Sequence, residues 1–330
     1  MKALRPHLTA LFFLPPFLAF ANPQTAWEDA CGHAKNLELP AQDRPDTKTL
    51  PMLKDCDSEA LYYGIGQAAD YQQAKACAYS ELGKEESPFQ GASILMMVYA
   101  NGKGANRDYG LAIKLACAVD GAPAENEGRI GHLQQLRQQG PGTTDFDICD
   151  DITSGMMMGL CTAHNDRIEQ VARTENWAAL TRAWSQEEKN AFSLLEKSAR
   201  QFFQARSGNE IDQSGTARTA FVIAADASLQ DDLLSSLAAF EKGRLPSFTD
   251  QQFAAADAKL NAVYKKIQTD KGFSWGTVSK DGIKSTQRQW LKYRDAWVSF
   301  GKVKYPNVSA GSWKTFWTEK RTKMLEDFLQ

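Results

Sequence analysis

The sequence has few of the residues and motifs on which common enzyme chemistry depends. It contains only 4 histidines in 330 residues, and none of them occurs in an H-E-x-x-H pair that could bind zinc. The phosphate-binding loops G-x-x-x-x-G-K-[ST] and G-x-G-x-x-G are absent, and so is the G-x-S-x-G nucleophile motif. We therefore expect no catalytic residue, no cofactor and no metal, and we expect His33, His132 and His164 to be ordinary surface or capping residues.

Apolar runs long enough to cross a membrane are also missing beyond residue 21. Before that point, Lys2 and Arg5 precede an apolar run, and Ala19 to Ala21 form a small-x-small cleavage pattern. This arrangement predicts a cleavable signal peptide over residues 1–21, cut after Ala21, with an N-terminal membrane anchor as the alternative. We expect a periplasmic or secreted mature chain without a membrane span.

The cysteines lack the C-x-x-C spacing that zinc-binding and thioredoxin-like sites use. The six cysteines of the mature chain are Cys31, Cys56, Cys77, Cys117, Cys149 and Cys161. An even number in an exported protein indicates three disulfides. Loop length favours neighbours in sequence, which predicts Cys31–Cys56, Cys77–Cys117 and Cys149–Cys161 among the roughly 15 possible connectivities.

Charge is distributed unevenly along the mature chain. Residues 280–330 contain 11 Lys and Arg but only 5 Asp and Glu, whereas the chain from residue 22 onward has 36 basic and 40 acidic residues. A basic end of this kind could contact anionic envelope polymers or lipid headgroups, or it could serve only to solvate helix faces. We expect no nucleic-acid partner, and the sequence does not indicate whether the protein is a monomer or an oligomer.

The N-terminal half of the mature chain contains a leader and a helical repeat. Residues 22–57 hold four prolines and few periodic apolar residues, which predicts an extended leader. In residues 58–142, Asp70-Tyr71 and Asp108-Tyr109 recur 38 residues apart. The stretch YANGKGANRD at 99–108 resembles the turn of Sel-like repeats, which are relatives of the tetratricopeptide fold. The resemblance implies a short α-solenoid, used either to hold a partner or as a scaffold.

Three segments near the C-terminus have apolar residues at helical spacing, at 253–267, 283–300 and 313–328. Five of the 8 tryptophans lie in this region, and we expect them in an aromatic core: Trp275, Trp290, Trp297, Trp313 and Trp317. The predicted fold class is therefore all-α, with solenoid-like repeats followed by two small helical-bundle units.

Three ordered blocks in these helices, D-x-x-L-N-x-x-Y, Q-x-x-W-L-x-Y-R-D and T-x-K-R-T-x-x-L, resemble the LprI-type lysozyme-inhibitor domain family. They comprise Asp257, Leu260, Asn261 and Tyr264; Gln287, Trp290, Leu291, Tyr293, Arg294 and Asp295; and Thr318, Lys320, Arg321, Thr322 and Leu325. The resemblance implies a small secreted helical domain over 246–330 that binds protein, with lysozyme inhibition among some members and no catalytic residues. Family members commonly have cysteines at the domain start and after the R-D pair, and this chain has none there.

A weaker copy of the same pattern precedes it over 143–245. Residues 199–206 align with 287–294 at a constant offset of 88, which pairs Phe202 with Trp290 and Arg206 with Arg294. Capping boxes at 185–188 and 249–252 predict helix starts in the two units.

Function is predicted from the resemblance rather than from chemistry. Asp257 and Arg294 could form a bidentate pair that docks two helices, or Arg294 and Asp295 could face a partner. The Met156 to Met158 run could be an adaptable contact surface or buried packing. We expect an exported protein that binds another protein, with lysozyme as the leading target. The alternatives are a non-inhibitory envelope adaptor that uses the repeats, and an enzyme acting on peptidoglycan.

Overall fold

The chain is built from α-helices throughout the part that the structure describes. The structure, a computed structural model, describes residues 25–46, 48–140 and 144–329, so the expected signal peptide at 1–21 lies outside it. Those ranges contain no β-strand, which confirms the predicted all-α class. Their helices are α1 (Thr25–Ala34), α2 (Ser58–Tyr63), α3 (Tyr71–Glu81), α4 (Ala92–Asn101), α5 (Tyr109–Ala116), α6 (Pro123–Gln139), α7 (Gly155–Thr181), α8 (Gln186–Asn209), α9 (Arg218–Glu241), α10 (Asp250–Thr269), α11 (Lys280–Lys304) and α12 (Ala310–Glu326). Among these helices, none is both long and apolar enough to cross a membrane.

Two long helices begin at the capping signals that the sequence contains. At the start of α8, the Ser185 hydroxyl accepts a hydrogen bond from the Glu188 N–H at 3.2 Å, and the Glu188 carboxylate accepts one from the Ser185 N–H at 2.6 Å. Thr249 and Gln252 form the same reciprocal pair at the start of α10. Both predicted capping boxes are confirmed, and they satisfy amides that a helix start otherwise leaves without a partner.

The first core surrounds α4, all ten residues of which are buried. The flanking helices α3 and α5 are capped by Asp70 and Asp108, the residues just before them, whose carboxylates accept hydrogen bonds from N–H groups of the first turn. Gly104, in the turn before α5, has φ +88°, and a Cβ there would clash with the Tyr71 carbonyl oxygen. The repeated aspartates and this glycine therefore have local structural roles. The assignment to Sel-like repeats stays a prediction.

The disulfides connect the N-terminal segment to this core. Cys149–Cys161 is confirmed, but Cys31 is bonded to Cys117 and Cys56 to Cys77. The predicted Cys31–Cys56 and Cys77–Cys117 pairs are therefore wrong.

Helix α1 explains why the predicted pairing fails. The expected extended leader contains α1 and two short 3-10 turns, at Ala41–Asp43 and Leu50–Leu53. Because α1 packs against α5 and α6, with Trp27 and Ala30 on the core, Cys31 lies beside the end of α5. The disulfide pairing thus follows from how the helices pack. The separation of two cysteines along the chain does not predict it.

The second core lies among α7 to α12. Its centre is the antiparallel pair α8 and α11, in which Asn209 lies near Thr286 at one end and Phe192 near Phe300 at the other. Helix α7 packs along α9, and α10 packs along α12. One continuous cluster of buried side chains spans both predicted units, so their helices stabilise each other.

Most of the predicted aromatic core is observed. Trp290, Trp297, Trp313 and Trp317 are buried, with at most 3% of each side chain exposed. Trp275 is the exception, because it lies in the loop between α10 and α11 and remains 36% exposed.

Helix α7 contributes to both cores. Met157 and Cys161 near its start belong to the first core, and Trp177 and Leu180 near its end pack against the second. The first core thus extends past residue 142, where the sequence places a domain boundary.

A buried polar cluster ties α7 to α2. His164 is 1% exposed, and its Nδ1 lies 2.5 Å from the carboxylate of Glu59, which also accepts a hydrogen bond from Arg167. The expectation that His164 is a surface or capping residue is therefore wrong, because the packing of α7 onto α2 encloses it. His33 is exposed, and His132 is half-buried with its Nδ1 3.0 Å from Asp151.

Candidate functional site

The predicted motif residues divide into a partly exposed set and a buried set. The partly exposed set lies where α10 and α11 run antiparallel, and we call it the α10/α11 seam: Asp257, Asn261 and Tyr264 on α10, with Arg294 on α11. At the far end of this seam, the Gln268 side chain donates to the Lys280 carbonyl at 3.0 Å. The structure therefore brings residues from two of the three motif blocks together on one surface.

Arg294 is the central side chain of the seam. Its Nη1 lies 3.8 Å from Asp257 Oδ1, its Nε and Nη2 each donate to Asp295 at 3.3 Å, and its guanidinium lies 5.2 Å from the Trp290 ring. Asn261 in turn donates to Asp257 at 2.9 Å. The two helices are thus bridged by an ion pair, but the predicted bidentate contact is not formed. Because Asp257 is 40% exposed, solvent screening limits such a pair to about 1 kcal/mol or less.

The buried motif residues pack in the core. Leu260, Trp290 and Tyr293 are each at most 2% exposed, so they are not available to a partner. Burial raises the pKa of the Tyr293 phenol well above its ordinary value, so this side chain stays neutral.

A buried ion pair lies in the same core and involves Gln287 of the motif. Arg321 is fully buried, and its two terminal nitrogens donate to the Glu210 carboxylate at 2.7 and 2.5 Å, while its Nε donates to Gln287 at 2.9 Å. Arg206 lies 4.0 Å from the same carboxylate, and burial lowers its pKa. Glu210 lies just after α8, outside the motif blocks, so the resemblance gave no signal for it. The buried Arg321 of α12 thus finds its carboxylate partner in Glu210, which precedes the last three helices in the chain.

The outer face of α11 carries a row of basic side chains. Lys284, Arg288 and Lys292 are spaced four residues apart and exposed, and none forms an ion pair with a described residue. Over 246–330 as a whole, 15 Lys and Arg stand against 8 Asp and Glu. Contact with an anionic polymer or lipid stays a prediction here, as does the alternative that these side chains only solvate the helix face.

A groove that the sequence analysis missed lies between α7 and α8, with α9 as its floor. Its volume is about 740 Å³, and its lining includes Asp166, Gln170, Thr174, Trp177, Ala178, Phe192, Glu196, Ala199, Phe203, Asp226 and Leu233. Short side chains, at Thr174, Ala178 and Ala199, are part of its lining on α7 and α8. We call it the α7/α8 groove. In the sequence, the groove leaves only one trace: Gln170, Thr174 and Ala178 are spaced four residues apart on α7. This spacing alone is the same as that of an ordinary solvated helix face.

One group of potential metal ligands occurs in the described part of the chain, at Cys56, Cys77 and Glu81. The two sulfur atoms are joined in a disulfide, so they cannot bind a metal as thiolates. These residues therefore do not fit a metal site, and the expectation of no cofactor stays a prediction.

Comparisons with known proteins bear on the last helices only. Neither the curated proteins nor the solved structures gave a significant match to this chain. The segment that matches a family model begins in the last two turns of α9 and includes α10, α11 and nearly all of α12, which agrees with the resemblance of the three motif blocks. Residues 236–325 match the family described as Lysozyme inhibitor LprI.

Proposed function

We propose that this protein is exported from the cytoplasm, binds lysozyme and slows its action on cell walls. The observation that carries the proposal is the match of residues 236–325 to the lysozyme-inhibitor family. The three disulfides support export, because disulfides form and persist in oxidising compartments.

Charge supports a basic partner for one part of the chain. Residues 22–245 carry 21 Lys and Arg against 32 Asp and Glu, whereas 246–330 have an excess of basic residues. Lysozymes are typically basic, so electrostatic attraction should orient the acidic region toward the enzyme during encounter.

Inhibition of this kind needs no reactive group. A protein that covers or enters the substrate cleft of lysozyme prevents the polysaccharide from binding, and its strength depends on the contact surface alone. We accordingly assign the protein no enzymatic activity of its own.

Lysozyme-driven lysis of suspended cell walls, followed as loss of turbidity, tests the proposal. Oxidised protein comprising residues 22–330 should remove at least half of the activity near an equimolar ratio. An unrelated helical protein of similar charge serves as the control. No effect at a tenfold molar excess would contradict inhibition and favour the adaptor function, and lysis by the protein alone would contradict the assignment of no enzymatic activity.

A further inference from the structure

We propose that the α7/α8 groove is the docking site for lysozyme and that an apolar segment of the enzyme enters it. The inference rests on the proposed function and deepens it, because it places the contact outside the matched residues 236–325. Three features of the groove support it: its apolar floor, an exposed apolar extension along α7, and an acidic wall.

The floor of the groove offers aromatic surface to a ligand. The rings of Trp177 and Phe192 lie 5.2 Å apart and are half-buried, and Phe203 and Leu233 close the floor beneath them. A volume of about 740 Å³ falls within the roughly 300–1,000 Å³ typical of ligand sites. Partly exposed aromatic side chains inside a concave surface are the usual anchors of a protein interface.

Beyond the groove, α7 has an exposed apolar extension near its N-terminus, which the half-exposed Arg167 separates from the groove lining. Met156 and Leu160 there are 68% and 37% exposed, and they lie on the same helical stripe as Gln170 and Thr174 of the groove wall. Within the Met156 to Met158 run, Met157 is buried in the first core, whereas Met156 and Met158 are exposed on the surface. Both predicted uses of the run, buried packing and exposed surface, therefore occur. Methionine side chains adapt readily to a partner, which suits this extension to protein contact.

The α7 and α9 side of the groove is acidic along its edge. Asp166 of the lining, together with Glu169 and Asp231 beside the groove, surrounds the single guanidinium of Arg173 at 2.7, 2.8 and 2.7 Å. Three carboxylates around one cation leave a net negative charge. Asp226 of the lining adds a further negative charge, and the side chain that donates a hydrogen bond to it, Gln230, is neutral. This wall therefore complements a cationic protein.

The α8 wall has a different charge pattern, which orients the partner. Lys189 and Arg200 lie there with Glu196, whose carboxylate is 3.6 Å from Arg200. Attraction for cations is thus confined to one side of the groove. The basic side chains of lysozyme should face α7 and α9, with its apolar segment between the two walls.

A pair of adjacent alanines provides a matched steric test. Ala178 lines the groove, whereas Ala179 is exposed on α7 but is not part of the groove lining. Ala178→Trp should weaken lysozyme binding at least about tenfold in a calorimetric titration, because the indole occupies the space that the partner needs. Ala179→Trp introduces the same side chain one residue away and should bind within about twofold of the unmodified protein.

A pair of acidic residues tests the charge contribution in the same assay. Asp226→Lys reverses a charge in the groove, and Glu175→Lys makes the same change on exposed α7 surface outside the lining. Asp226→Lys should weaken binding about tenfold at low salt, with a smaller difference at high salt. Glu175→Lys should weaken it by less than about threefold.

The outcomes separate the inference from the function on which it rests. If the unmodified chain does not bind lysozyme, the proposed function fails. If it binds and both Ala178→Trp and Asp226→Lys bind equally well, the groove is not the site and lysozyme binding stands. Groove variants that abolish self-association instead would assign the groove to a second copy of this chain and overturn the inference. Unchanged melting temperatures would exclude misfolding as the cause.

Discussion

Removing the Arg321 side chain should destabilise the second core through a buried charge that loses its partner. Arg321 and Glu210 are at most 2% exposed, and they are held together by two short hydrogen bonds. In Arg321→Met, the Glu210 carboxylate loses both of these donors, and Gln287 loses the donor of its 2.9 Å hydrogen bond. A carboxylate left uncompensated in a core is strongly unfavourable.

The size of the effect follows from what surrounds Glu210. Breaking a buried ion pair by removing one partner costs about 3–5 kcal/mol. Arg206, with its Nε 4.0 Å from the same carboxylate, partly replaces the lost charge, so we expect a value near the lower limit. A loss of about 3 kcal/mol in a domain of this size lowers Tm by roughly 6–12 °C.

Calorimetric melting of Arg321→Met and two companions tests this prediction. Lys323→Met removes an exposed cation from the same helix and should change Tm by less than about 2 °C. The double variant Arg321→Met with Glu210→Met should regain part of the lost stability, because it leaves no buried carboxylate without a partner, while Arg206 loses the nearby charge of Glu210. The reasoning is refuted if Arg321→Met melts within 2 °C of the unmodified protein, or if the double variant is less stable than the single one.

Three further predictions concern the disulfides, the pH dependence and the seam. Peptide mapping without reduction should recover Cys31 linked to Cys117, and replacing both by serine should cost about 2–5 kcal/mol; a Cys31–Cys56 peptide would contradict the fold of the N-terminal segment. Hydrogen bonds from the Ser214 hydroxyl, and then from the N–H groups of Ser214 and Thr277, lower the pKa of Asp212 from its ordinary 3.8 to about 2. Its contribution to stability is therefore present above about pH 4 and is lost as the pH falls toward 2, and an NMR titration midpoint near 4 would disprove it. Asp257→Asn should change the unfolding free energy by less than about 1 kcal/mol in urea, and a larger loss would show that the pair with Arg294 docks the helices.

Features that depend on neighbouring residues could be predicted from the sequence. The capping boxes at Ser185 and Thr249 lie within four residues of chain, and the three C-terminal helices follow the spacing of their apolar residues. Within the seam, Asp257 and Arg294 could be paired because each lies beside the apolar stripe of its helix, although α10 packs on α12 and α11 packs on α8 and α12. Local patterns were therefore sufficient for the helices and for part of the candidate surface.

Features that depend on how distant helices pack could not be predicted. Glu210 and Arg321 are separated by 111 residues, and nothing in either local pattern indicates the other. Helix α1 lies in a proline-rich segment and is stabilised by packing against α5 and α6, which is why both its helicity and the Cys31 pairing were missed. The α7/α8 groove likewise depends on how far apart two helices lie, which no local pattern in either helix indicates.

Binding to lysozyme is the central claim, and calorimetric titration of the oxidised chain from residue 22 onward into lysozyme tests it most directly. We predict a saturable heat at a ratio close to one to one, with affinity that falls several-fold between low and physiological salt because opposite charges attract across the contact. A titration without saturable heat at any salt concentration, under conditions in which the protein is shown to be folded, would contradict it.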